Sequence, residues 1–187
     1  DCALGDNSMS NNLKRIALLG AECTGKTTLS LALFQTLQWH GLETVLISET
    51  LRLWCEQKGR TPQMHEQFEI AKAQSEQIFA VQKGWVIADT SALMTAVYSH
   101  YFFNDQTLYD AALAQQAQFD LTLVMGLDLA WQADGLQRDG AHVREPVDSL
   151  IREALGKAQL PFKVIYGQGD SRLNAALLAI NESLRPN

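Results

Sequence analysis

The sequence predicts an α/β fold, a mainly parallel five-stranded sheet with helices on both faces. Three observations carry this reading. Five short apolar runs, 15–19, 44–48, 85–88, 121–126 and 162–166, alternate with longer helical patterns, the order expected of strand-helix-strand units. The segment Gly20-Ala21-Glu22-Cys23-Thr24-Gly25-Lys26-Thr27 fits the phosphate-binding pattern G-x-x-x-x-G-K-[ST] and lies between the first apolar run and a helical stretch. A chain of 187 residues with 47% hydrophobic content is long enough for one well-buried core and short for two domains.

The first strand, Arg15-Ile16-Ala17-Leu18-Leu19, runs into Gly20, which lets the chain turn sharply. The helix that follows, about 26–39, stops at Gly41, and further helices are expected at about 50–58, 63–83, 91–101, 106–117, 147–158 and 171–184. Thr61-Pro62 has the form of an N-cap followed by proline at the first helical position, and Gly84 is placed to end that long helix. Helices on both faces leave the carboxyl ends of the strands open as a ligand crevice. Residues 9–187 read as a single domain. The start Met9-Ser10-Asn11-Asn12 reads as a natural beginning, and residues 1–8 as an added tail that takes no part in the fold argument.

Net charge is −6 and no basic cluster occurs, which argues against nucleic acid as a partner. No stretch reaches the roughly twenty apolar residues of a membrane span, and the start lacks the blocks of a signal peptide. Cys2, Cys23 and Cys55 have no metal-ligand spacing, and a disulfide at Cys23 would disrupt the phosphate loop, so a cytoplasmic location is expected. His40, His65, His100 and His142 lack ligand spacing as well. The expected partner is a small molecule, and self-association is compatible with the sequence.

In the phosphate loop, the residues Gly20 to Thr28 offer backbone N–H groups and the positive end of a helix dipole to phosphate oxygens. Lys26 is placed to reach the β- and γ-phosphates, and the Thr27 hydroxyl to ligate a Mg²⁺ bridging them. The absence of an Asn/Thr-Lys-x-Asp run after the fourth strand favours ATP over GTP. The second strand ends at Glu49 with Arg52 three residues on: a base for an acceptor hydroxyl with a phosphate-holding arginine, or a helix-start acid in a surface ion pair. Asp89 closes the third strand as a Mg²⁺ partner, a base, or, with Thr90, a helix cap.

The connection after the fourth strand carries Trp131, which stacks on a ligand ring or pins the loop, and Arg138 and Arg144, which close over the triphosphate or stay solvated. Gly167 after the fifth strand either lets adenine approach the backbone or forms an ordinary glycine turn. Tyr98, Tyr101, Phe102 and Phe103 line an acceptor pocket or, as a helical aromatic stripe more often does, fill the core.

The phosphate loop, Glu49-Thr50-Leu51-Arg52, Thr61-Pro62-Gln63-Met64, Ala88-Asp89-Thr90 and the run Trp131 to Arg138 together resemble the ribosylnicotinamide kinase domain of the bifunctional bacterial NAD-biosynthesis regulator and its stand-alone relatives. The resemblance spans Lys14 to about Leu184. It implies the P-loop nucleoside triphosphate hydrolase fold with strand order 2-3-1-4-5, and transfer of the γ-phosphoryl of Mg-ATP to a nucleoside 5′-hydroxyl, nicotinamide riboside first among them. Lys26, Asp89, Glu49, Arg138 and Arg144 would then be catalytic, with Arg138 and Arg144 in a mobile lid; Thr27 and Asp89 would hold the metal; Glu49, Arg52, Asp89 and Trp131 would meet the acceptor. Ser91 stands where the family often has another acid. Two readings stay beside this one: a kinase of another metabolite or nucleotide, and an ATP-dependent regulatory module without an acceptor.

Overall fold

In a computed structural model, which describes residues 13–132 and 140–184, the chain forms one parallel sheet of five strands. In chain order the elements are β1 (Lys14–Leu19), α1 (Lys26–Trp39), β2 (Thr44–Ile47), α2 (Thr50–Lys58), a 3-10 turn Met64–Glu66 leading into α3 (Gln67–Ala80), β3 (Trp85–Asp89), α4 (Ala92–Phe103), α5 (Tyr109–Gln116), β4 (Leu121–Met125), a turn Ala141–Val143 leading into α6 (Arg144–Lys157), β5 (Lys163–Ile165) and α7 (Gly169–Leu184). The strand order is β2-β3-β1-β4-β5, as the resemblance implied.

The two-residue period of the strands sorts their side chains to opposite faces. Ile16 and Leu18 of β1, Ile87 of β3 and Leu123 and Met125 of β4 pack with Leu29, Leu33 and Leu37 of α1 and Ala176 and Ile180 of α7. Ala17, Leu19 and Val124 look the other way, onto α4 and α6. Because α4 lies between the sheet and its neighbouring helices, every residue from Ala92 to Ser99 is buried. Tyr98 and Tyr101 belong to that core, as a helical aromatic stripe predicts.

Element ends show where local signals act. At the end of α1, Gly41 takes φ 78°, and the N–H groups of Gly41 and Leu42 donate to the carbonyls of Gln38 and Leu37, the paired bonds of a glycine-terminated helix. The long helix differs from expectation. Pro62 precedes it, and it opens instead on a capping box in which Gln63 and Glu66 satisfy each other's backbone, a reciprocal arrangement that leaves Thr61-Pro62 in the wall of the cleft described below. It ends at Ala80, because Val81 turns extended; Gly84 sits in the turn before β3, where its carbonyl accepts from Lys14 N–H and a Cβ would lie 2.6 Å from the Glu43 carbonyl oxygen. No described helix is long and apolar enough to cross a membrane.

Candidate functional site

Register brings the site together. β1 pairs with β3 so that Leu18 stands opposite Asp89, and with β4 so that Leu19 stands opposite Val124. The phosphate loop therefore leaves the sheet beside the end of β3. The loop is held by its own hydroxyl, Thr24 Oγ1 donating to the Ala21 carbonyl at 2.6 Å, with Cys23 at φ 56° and Gly25 at φ 79°. A Cβ on Gly25 would lie 2.9 Å from Leu129 Cδ1, so glycine is required by space as well as by conformation. Gly25 is also the N-cap of α1, no side chain caps that helix and no acid stands in its first turn. The N–H groups of the first turn are thus left for an anion.

Residues Glu22 to Thr28 form one wall of a cleft of about 860 Å³ at the carboxyl ends of the strands. Lys26 is buried at its base. Asp89, 3% exposed, lies beneath the loop and accepts from Thr27 Oγ1 at 2.7 Å through Oδ2. Its Oδ1 is buried with no hydrogen-bond partner among the described residues. An anionic oxygen so placed, next to a hydroxyl, suits a hard divalent cation with oxygen ligands. Asp89 caps no helix: Ser91 does, accepting from Leu93 N–H at 3.3 Å. The intervening Thr90 takes φ 79°, an uncommon conformation for a β-branched residue, secured by its N–H to the Leu18 carbonyl at 3.0 Å.

The opposite wall comes from α2, the start of α3 and the end of α4. Glu49 and Arg52 both line it, and Glu49 occupies the N-cap position of α2 without a side-chain capping bond. Gln74 ties this wall to the sheet, accepting from Thr50 N–H at 2.7 Å and donating to the Thr90 carbonyl at 3.4 Å. Tyr98, Phe102 and Phe103 face the same space, so the aromatic stripe serves core and cleft together. The rim is locked by Arg60, which grips both oxygens of Glu66 at 2.8 Å. That guanidinium bond, helped by the Gln63 N–H, holds the Glu66 carboxyl down at about 2.

Other predicted residues stand apart from the cleft wall. Trp131 is half-buried with Nε1 unpartnered among the described residues, while its neighbours Leu129, Ala130 and Gln132 line the cleft. Arg144 opens α6 and its Nη2 donates to the Leu127 carbonyl at 3.4 Å, beside β4 rather than in the cleft lining. Arg138 lies outside the described residues. Gly167, at φ 100°, is hydrogen-bonded to Asp128 through its N–H at 2.7 Å, and Gln168 after it reaches the lining.

Three residues of the site escaped sequence reasoning. Gln67 lines the cleft at 3% exposure with Oε1 unpartnered; in sequence it is one more polar position of a long helix. Arg172, 4% exposed, donates to the Thr24 carbonyl beneath the phosphate loop, and a single arginine in a helical pattern gives no sign of that. Asp128 accepts from both Gly167 and Arg172; chiefly the Gly167 N–H, with Arg172 adding to it, holds its carboxyl below the ordinary value.

A sequence profile described as an AAA domain matches residues 15–172. Among solved structures, a NadR protein in complex with NR superposes with a TM-score of 0.74 at 19% identity, over 93% of this chain and 51% of that one. Thymidylate kinase from Ehrlichia chaffeensis gives 0.63 at 18% identity, over 93% and 100%. Deoxyadenosine kinase from M. mycoides, with dCMP and dCDP bound, gives 0.62 at 16% identity, over 90% and 99%. The chain thus spans about half the length of the NadR protein and nearly all of the two kinases. At these identities the likeness is one of fold, and it agrees with the resemblance read from the motifs. No curated protein matches the sequence.

Proposed function

Starting from a chain that belongs to the AAA domain family, we propose an ATP-dependent phosphotransferase that moves the γ-phosphoryl group to a nucleoside 5′-hydroxyl, with nicotinamide riboside the first acceptor to test. The observation that carries this reading is the two-walled cleft. One wall is a phosphate loop with Lys26 and the Thr27–Asp89 pair; the other, across a cleft of about 860 Å³, offers a carboxylate, an arginine, aromatic rings and a buried amide whose oxygen has no partner among the described residues. A bare nucleotide switch has no use for that second wall. An acceptor does.

Each side chain then has a task. Loop N–H groups and Lys26 neutralise the β- and γ-phosphates, stabilising charge where it develops. Thr27 and Asp89 would hold Mg²⁺, which supplies charge neutralisation between those phosphates. With Asp89 occupied beneath the loop, Glu49 in the open wall is the group to take the proton of the acceptor hydroxyl, and Arg52 to steady the phosphoryl oxygens. Tyr98, Phe102 and Phe103 offer faces to the acceptor ring, and Gln67 offers its amide to a polar edge of it. Arg138 and Arg144 belong to this proposal as the lid on the β4–α6 connection, and Trp131 as a ring near the acceptor. A place in NAD biosynthesis and a cytoplasmic location go with the same reading.

The test is ADP release from Mg-ATP with and without a nucleoside panel that includes nicotinamide riboside, products identified by mass. Release stimulated by one acceptor, with that acceptor gaining one phosphate, is the expected result. Release independent of every acceptor, from a protein that binds ATP, would overturn it.

A further inference from the structure

Resting on the reading of Gly167 as the base-side turn, we propose that Arg172, steadied by Asp128, is a positioning residue that couples recognition of the nucleotide's base to the shape of the phosphate loop. The guanidinium reaches three loops at once. Nε donates to the Gly167 carbonyl at 2.9 Å after β5, and Nη2 to the Gly126 carbonyl at 3.2 Å and Asp128 Oδ1 at 2.9 Å after β4. Nη1 donates to the Thr24 carbonyl after β1. Asp128 closes the circuit, its Oδ2 accepting from the Gly167 N–H at 2.7 Å.

Packing alone does not explain such a residue, since a buried guanidinium is costly to desolvate and an apolar side chain fills space more cheaply. What the arginine adds is direction. The Thr24 carbonyl and the Gly25 N–H belong to one rigid peptide plane and point opposite ways, so holding the carbonyl beneath the loop turns the N–H away from Arg172. Gly25 lines the cleft, and a Cβ there would come within 3.1 Å of Arg172 Nη1, so glycine also admits the brace. A base that orders the Gly167 turn thereby tightens the grip of Arg172 on the phosphate loop, and a bound triphosphate tightens the turn in return.

The two partners play separable parts. Asp128→Asn keeps only one acceptor oxygen for two donors, which frees the base-side turn but leaves Arg172 on Thr24. Arg172→Lys replaces a planar fork by a point charge that cannot span three loops. Binding of Mg-ATP and of Mg-inorganic triphosphate to the full chain, measured calorimetrically, separates them. In wild type we expect ATP to bind more tightly than triphosphate. In Asp128→Asn we expect ATP binding to weaken about tenfold and triphosphate binding by less than about twofold; in Arg172→Lys both weaken. An Asp128→Asn variant that loses both ligands equally, or neither, overturns the coupling, and it decides alone if Arg172→Lys fails to fold. Wild type binding the two ligands equally overturns the coupling while leaving the phosphate site standing; wild type binding neither overturns both.

Discussion

Thr27 donates to Asp89 across 62 positions of sequence, and the chemistry proposed for the site depends on that bond. A buried carboxylate with one oxygen bonded and the other without a partner among the described residues costs stability unless a cation completes it. Asp89→Asn is therefore expected to cut single-turnover transfer far more than it weakens nucleotide binding; equal losses, measured side by side, would make Asp89 a structural or nucleotide-holding residue instead. Lys26→Ala removes a charge aimed at the transferring group, for which a loss in kcat/KM of about 10²–10³-fold is expected with the thermal transition largely kept. An unchanged kcat/KM would remove Lys26 from the machinery. Both positions were legible in the sequence, one from motif spacing and the other from a strand end. Gln67 and Arg172 were not, since nothing local distinguishes a buried polar helix residue from an exposed one.

The elements around the cleft are shaped by their ends. The phosphate loop is read from eight consecutive residues because its geometry is almost wholly local: a hydroxyl closing the turn, a glycine in the left-handed region, a helix start. The start of α3 is different. Proline after threonine is a sound local signal, yet the Gln63–Glu66 capping box, reinforced by Arg60 from the preceding turn, satisfies more backbone groups and moves the start two residues on. Because the Glu66 carboxyl is depressed from 4.5 to about 2, its contribution to stability is full above the unfolded value near 4.5 and disappears as pH falls through about 2. Glu66→Gln should accordingly be less stable than wild type at neutral pH, with the difference shrinking as pH drops below about 4.5. Denaturant melts of the pair across that range would check it, and a difference that stays constant down to pH 2 would contradict the assignment.

At the scale of the whole molecule, the sheet order brings five strand ends to one edge, and the proposed ligand site lies where β1 parts its neighbours, β3 carrying Asp89 and β4 leading to Asp128. A ligand gripped by loops from β1, β4 and β5 should stabilise the entire fold, so Mg-ATP at about 100 times its dissociation constant is expected to add about 2.7 kcal/mol. The readout is a concentration-dependent rise in Tm that Lys26→Ala reduces. Alternating apolar runs and helical periods determined the strands, the helices and the phosphate loop by themselves, because hydrophobic period and loop chemistry act over neighbouring residues. Which aromatic side chains reach the cleft, and that Arg172 joins three loops, were decided only by tertiary structure, because burial and hydrogen bonding between residues far apart in the chain leave no mark on the local sequence.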